Sequence, residues 1–252
     1  MPMNLGLEGR VAIITGSGRG IGAETARLLA MEGAKLVITD MDSEAALGTA
    51  AALREDGFEA VGVASNVMHA ADAQAVAALA IASYGRIDVL VNNAAVVRDI
   101  SLVKMAESDF DLVIGTTLKG AFNFCRAVLP HMYQRRWGRI INLSSRSLFG
   151  NPGQTNHAAA KAGIVGFTRS LSLEQAKYGI TVNAVAPGFV VTEGAKALPN
   201  FEGFAKAAIE KTPVGFLGEP KDIGSVITFL ASEHSRYITG TTIFVTGGRF
   251  SS

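Results

Sequence analysis

The chain has 252 residues, 48% of them hydrophobic, and a formal net charge of +1. That length suits one large α/β domain with a substantial core, and the near-zero charge excludes a broad basic surface for nucleic acid or a polybasic membrane tail. The single cysteine, Cys125, excludes an internal disulfide and fits a reducing cytoplasm.

In chain order, the apolar run Val11-Ala12-Ile13-Ile14 reads as a strand and leads into residues 15–22, TGSGRGIG, with a helical pattern over 23–31 beyond. Strand, glycine turn and helix are the context of a phosphate-binding loop. Gly16 allows a tight turn, and Gly20 or Gly22 lets backbone N–H groups approach a pyrophosphate at the helix N-terminus. A second strand, 35–39, ends at Asp40, about twenty residues past the loop. An acid there accepts hydrogen bonds from the adenosine ribose hydroxyls and repels a 2′-phosphate, so NAD is expected over NADP. Arg19 inside the loop argues weakly the other way.

Ser43 is placed to cap a helix that runs to about Asp56, where Gly57 stops it. A third strand, 58–64, ends near Asn66, which is placed either to contact an adenine edge or to shape the turn. An Ala-rich helix over 70–84 closes at Gly85. It is too short and too polar to span a bilayer, and residues 1–10 lack the basic and apolar regions of a signal peptide. A fourth strand, 87–91, runs into Asn92-Asn93-Ala94-Ala95, where small and amide residues let a ligand lie close to the backbone. A long helix is expected over 110–136, kinked at Pro130, with Cys125 in its core face. A fifth strand, 139–143, ends at Ser144-Ser145. After the turn Gly150-Asn151-Pro152-Gly153 comes a helix carrying His157 and Lys161, spaced i, i+4 on one face. A sixth strand, 180–186, ends at Pro187-Gly188. Residues 190–216, with several glycines and prolines, read as an irregular lid. Pro220 opens another helix, and 241–245 form the last strand. Alternating strands and helices predict a doubly wound parallel sheet of about seven strands in one domain, 1–252. No metal is expected.

With these pieces in order the chain resembles the short-chain dehydrogenase/reductase family over essentially its whole length, among them the 3-oxoacyl-ACP reductase-like members. TGSGRGIG is similar to the family's TGxxxGxG, Asn92-Asn93-Ala94 to its NNAG element, 140–145 to the strand that delivers the active-site serine, and Pro187-Gly188 to its PG element. The resemblance implies a Rossmann-like fold and a nicotinamide cofactor. Implied cofactor contacts fall on Gly16, Ser17, Arg19, Gly20, Ile21, Gly22, Asp40, Asn66, Val67, Asn93, Ala94, Lys161, Pro187, Gly188, Val190 and Thr192. It also implies a homotetramer or homodimer, for which 122–129 is a candidate face.

The family's Ser, Tyr and Lys fall on Ser144, His157 and Lys161, so a histidine stands at the tyrosine position; an auxiliary asparagine falls on Thr117. An imidazole ordinarily titrates near 6.5, and the Lys161 cation should lower that. A neutral ring accepts a proton from an alcohol more readily than it donates one to a ketone, so alcohol oxidation is expected to be the faster direction. The ring's outer nitrogen stops about two bond lengths short of a tyrosine oxygen, so the substrate sits deeper or water relays the proton. Arg146 and Phe189 are candidate substrate contacts, the first for a carboxylate and the second for an apolar portion. The reading is an NAD-dependent oxidoreductase interconverting a secondary alcohol and a ketone. The competing readings are a catalytically impaired NAD-binding protein and a lyase that uses His157 as base.

Overall fold

The computed structural model describes residues 4–197 and 199–250, so both ends of the expected domain and Leu198 of the expected lid lie outside the described residues. Seven strands form one sheet in the order β3-β2-β1-β4-β5-β6-β7. They are β1 (Val11–Thr15), β2 (Lys35–Asp40), β3 (Ala60–Ala64), β4 (Val89–Asn92), β5 (Gly138–Leu143), β6 (Ile180–Pro187) and β7 (Thr242–Val245). Every pairing is parallel. The order reverses between β1 and β4, which puts a crevice at the carboxyl ends of those strands.

The sheet is covered on both faces, which is why its strands are almost wholly apolar. Ala12 and Ile14 of β1 face a core completed by α1 (Gly20–Met31), α2 (Ser43–Glu55) and α9 (Pro220–Ala231). Val11 and Ile13 face the opposite core, completed by α3 (Ala70–Tyr84), α5 (Gly120–Arg135) and α6 (Thr155–Gln175). Two-residue alternation along a strand thus feeds two cores.

Several local expectations change. Asp42, not Ser43, caps α2, accepting a hydrogen bond from the Ala45 N–H at 3.1 Å. Both residue types cap well; the chain leaving β2 selects Asp42, whose own N–H is held by Asp40 Oδ1 at 3.1 Å. The long helix begins earlier, as α4 (Glu107–Ile114), and passes through a π-helical turn (Gly115–Lys119) into α5. The helical hydrogen-bonding pattern departs from α at that turn, while Pro130 lies inside the continuous span of α5. This stretch is apolar and long enough to cross a membrane by composition, yet Phe124, Val128 and Met132 are core residues. Of the expected contact face 122–129, Phe124, Cys125, Val128 and Leu129 are buried within the chain, and Phe122 is exposed. The lid is more regular than expected, containing α7 (Glu193–Lys196) and α8 (Phe201–Glu210).

The fourth strand starts at Val89 because Asp88 does other work. Its side chain is fully buried and accepts from the Val11 N–H at 2.9 Å and from Arg86 at 2.6 and 2.7 Å. The carboxylate thereby ties the start of β1 to β4. Asp88→Ala strands a buried N–H and removes a charge-assisted pair, and is expected to cost about 3 kcal/mol. Urea unfolding of the two proteins measures it, and a loss near zero contradicts this role.

Candidate active site

A cleft of about 610 Å³ lies along the carboxyl edge of the sheet. One end is the glycine loop between β1 and α1. Gly16 and Gly20 have φ of +62° and +61°, and a Cβ on Gly16 would stand 2.7 Å from Ala94 Cα. Glycine is therefore required for the turn and for its close approach to the end of β4. Arg19 is the N-cap of α1 and makes no side-chain cap there, so the first-turn N–H groups beside Gly20 and Ile21 stay available to an anion at the cleft. Gly22 has a different role: a Cβ there would collide with the Gly16 carbonyl, so it permits the loop to fold onto its own helix.

Asn93 latches this loop. Its Nδ2 donates to the carbonyls of Thr15 (3.0 Å) and Gly16 (2.8 Å), and its N–H donates to Thr15 Oγ1 at 3.0 Å. Ser17 is fully buried. Its hydroxyl donates to the Ile14 carbonyl at 2.6 Å and accepts from the Thr39 N–H at 3.1 Å, stitching the loop to β2. The side chain of Ser17 thus supports the loop from behind. Asp40 completes this end. Its Oδ2 accepts from the Gly18 N–H at 3.0 Å, and the residue lines the cleft beside Arg19 and Asn66. Arg19 pairs with Asp42 at 3.4 Å across an exposed surface.

The other end is built on α6. Lys161 is buried, and its ammonium donates to the Leu143 carbonyl at 2.7 Å. Burial lowers its pKa from 10.5 to about 8. One helical turn earlier, His157 is also buried, and its pKa falls from 6.5 to about 4. Burial is the larger cause and the Lys161 charge the smaller, so the ring is a weaker base than charge repulsion alone predicts. Ser144 Oγ donates to the Lys161 carbonyl at 2.7 Å, which turns its proton away from the cleft. Ser145, its neighbour, is half-buried, lines the cleft, and accepts from the Ser147 N–H at 3.1 Å, leaving its own proton unspent.

Behind these groups runs a polar spine that sequence reasoning missed. Asn92 Nδ2 donates to Asn142 Oδ1 at 2.8 Å, and Asn142 Nδ2 donates to Thr168 Oγ1 at 2.9 Å. Asn92 and Asn142 are paired in register on β4 and β5, and Thr168 lies on α6, so the spine fixes the helix that carries His157 and Lys161. Two amides at the ends of adjacent predicted strands were the available signal. At the start of α6, Asn156 Nδ2 donates to the Arg98 carbonyl at 3.1 Å, tying the cleft-lining segment 93–98 to the helix.

Other expected contacts sort plainly. Ile21, Asn66, Val67, Ala94, Pro187 and Thr192 line the cleft. Thr192 also caps α7, accepting from the Ala195 N–H at 3.1 Å. Gly188 and Val190 lie outside the cleft lining, as do both proposed substrate contacts. Phe189 lines a separate cavity of about 210 Å³ with Phe216 and Ile223. Arg146 begins the 3₁₀ turn after Ser145, and burial with the nearby Arg249 charge lowers its pKa. Thr117 sits in the π-helical turn, and its buried hydroxyl has no hydrogen-bond partner among the described residues. The Cys125 thiol is buried and pushed up to about 12, which makes it inert. Among the described residues no cluster of acidic, histidine or cysteine side chains is placed to hold a metal.

A family profile described as enoyl-(acyl carrier protein) reductase matches residues 16–249. The chain belongs to the short-chain dehydrogenase/reductase family. It is 41% identical to the (2S)-[(R)-hydroxy(phenyl)methyl]succinyl-CoA dehydrogenase subunit of Thauera aromatica, covering 97% of this chain and 98% of that one. It is 42% identical to the 3-oxoacyl-[acyl-carrier-protein] reductase of Vibrio cholerae (98% and 99% covered). The corresponding reductase of Thermotoga maritima is 43% identical (96% and 98% covered). The family is one of oxidoreductases that bind nicotinamide cofactors, and the glycine cradle, the uncapped α1 N-terminus and the carboxylate of Asp40 fit such a dinucleotide.

The depressed His157 pKa has a stability consequence. The unfolded chain binds more protons than the folded one between about pH 4 and 6.5, so stability rises with pH across that window. His157→Gln, which cannot titrate, is expected to lack this slope, a differential of roughly 3 kcal/mol. Urea unfolding of both proteins at pH 4.5 to 7 (roughly the titration window) reads it directly, and parallel curves contradict a buried neutral ring.

Proposed function

We propose that the protein is an NAD-dependent oxidoreductase that interconverts a secondary alcohol and a ketone. The observation that carries this is the single cleft that joins Asp40, at the end of β2, to Ser145, His157 and Lys161 at its other end. The Asp40 carboxylate favours ribose hydroxyls and opposes a 2′-phosphate. Arg19, the group that argues for a phosphate, has an acid of its own in Asp42. When bound, the nicotinamide supplies or accepts the hydride. Lys161 holds the cofactor ribose and adds to the effect of burial in keeping His157 neutral. Ser145 directs a hydroxyl at the substrate oxygen, with Ser144 behind it securing the turn of α6 that bears Lys161. His157 meets the substrate oxygen directly or through one water. The substrate is a small molecule whose reacting carbon lies beside apolar walls that include Met68, Val97 and Leu112.

The same reading places the protein in the cytoplasm as a homotetramer or homodimer. Exposed Phe122 on α5 and Leu173 on α6 support a contact between copies.

A second reading is a nucleotide-binding subunit without turnover. It is favoured by the partnerless Thr117 hydroxyl at one altered position and the weakly basic His157 at the other. The Thauera aromatica relative is itself named as a subunit. A lyase with His157 as base is disfavoured, because a ring titrating near 4 is a poor base.

Absorbance at 340 nm with NAD and a panel of secondary alcohols separates these readings. The oxidoreductase reading predicts turnover by the natural protein and, for His157→Tyr, a changed pH profile with a rate altered by about 10²-fold or more. Turnover by His157→Tyr alone would establish the subunit reading instead.

A further inference from the structure

We infer that His157 carries its ring proton on Nε2 and donates it as a hydrogen bond to the substrate oxygen, so that it polarises a ketone instead of receiving an alcohol's proton. The second half of this inference rests on the oxidoreductase reading; the first half does not.

The surroundings of Nδ1 carry the argument. This nitrogen is buried and has no hydrogen-bond partner among the described residues. A neutral imidazole must leave either an N–H or a lone pair there. An unpaired buried N–H is the rarer and costlier of the two. The lone pair therefore faces inward and the proton sits on Nε2, at the edge by which the ring lines the cleft with Ser145 and Lys161.

A doubly protonated ring is opposed by the same burial and by Lys161, which keep it neutral well below pH 7. The other charged groups lining the cleft do not reverse this. Arg98 adds positive charge and is paired with Asp109 at 3.6 Å, Asp40 and Arg19 lie at the loop end, and Glu193 opens α7.

The chemistry follows from the tautomer. In reduction, hydride from a bound reduced nicotinamide, which is thereby oxidised, adds to the carbonyl carbon while the C=O π pair moves to oxygen. Nε2–H and the Ser145 hydroxyl stabilise that developing charge. Nε2 keeps its proton, because losing it would leave an imidazolate anion. The oxygen is protonated by a solvent water, and the resulting hydroxide takes a proton from the Lys161 ammonium, which recovers it from solvent. This reverses the expectation from sequence that the ring acts as a base toward alcohols.

The test is long-range ¹H–¹⁵N correlation NMR of the full-length protein with ¹⁵N-labelled histidine rings, without cofactor. Its four histidines are assigned by the signals lost in His157→Gln; removal of His69, His131 and His234 in turn assigns them if that variant does not fold. The expected result is a pyrrole-type shift on the nitrogen that couples to both ring C–H protons, unchanged from pH 8 to about 5. A pyrrole-type shift on the nitrogen coupled to Hε1 alone, or both nitrogens titrating together near pH 6–7, roughly where an unperturbed ring does, overturns the assignment. Because no turnover is needed, this outcome is independent of whether the oxidoreductase reading holds. For turnover, His157→Gln keeps an N–H donor and is expected to retain about a hundredfold more ketone reduction than His157→Phe; equal loss in both overturns the donor role.

Discussion

Burying the Lys161 ammonium constrains everything else at the reactive end of the cleft. One carbonyl, that of Leu143 at 2.7 Å, holds it. A cation so placed gives up hydration, and its pKa drops to about 8. The cost is tolerable because β5 and α6 are locked together around it. Ser144 bonds the Lys161 carbonyl, and the Asn92–Asn142–Thr168 spine ties both neighbouring strands to the helix. Those same contacts fix where His157 stands, and burial together with the Lys161 charge keeps its ring neutral.

The cofactor end obeys a different logic. Nothing there is a buried charge. The loop is instead held by backbone-directed hydrogen bonds from Asn93, Ser17 and Asp40. Their effect is to leave the first N–H groups of α1 open toward the cleft. Preorganised dipoles of this kind bind an anion without a basic side chain, in keeping with a chain of almost no net charge. His157, where the resemblance puts a tyrosine, lies at the other end of the cleft.

Much of this was legible in the residues. The glycine loop and Asp40 stood out because their spacing is a consequence of one βαβ step, and the parallel sheet followed from uninterrupted apolar strands. What escaped reading has physical causes. Ser144 and Ser145 are adjacent at the end of a strand, where a shift of one residue reverses the direction of a side chain. Ser17 and Gly22 sit inside a binding motif yet serve packing, which spacing cannot reveal. The glycines and prolines of 190–216 suggested irregular chain, whereas Phe201–Glu210 forms a helix. The strength of the His157 shift depended on burial by elements far away in sequence.

The most direct measurement is calorimetric titration of the natural protein with NAD and with NADP, repeated for Asp40→Ala. The account predicts that NAD binds at least about tenfold tighter, a difference of about 1.4 kcal/mol, and that Asp40→Ala narrows or removes the preference. Binding of neither nucleotide, or tighter binding of NADP by the natural protein, would contradict the assignment of Asp40 and of the cleft it lines.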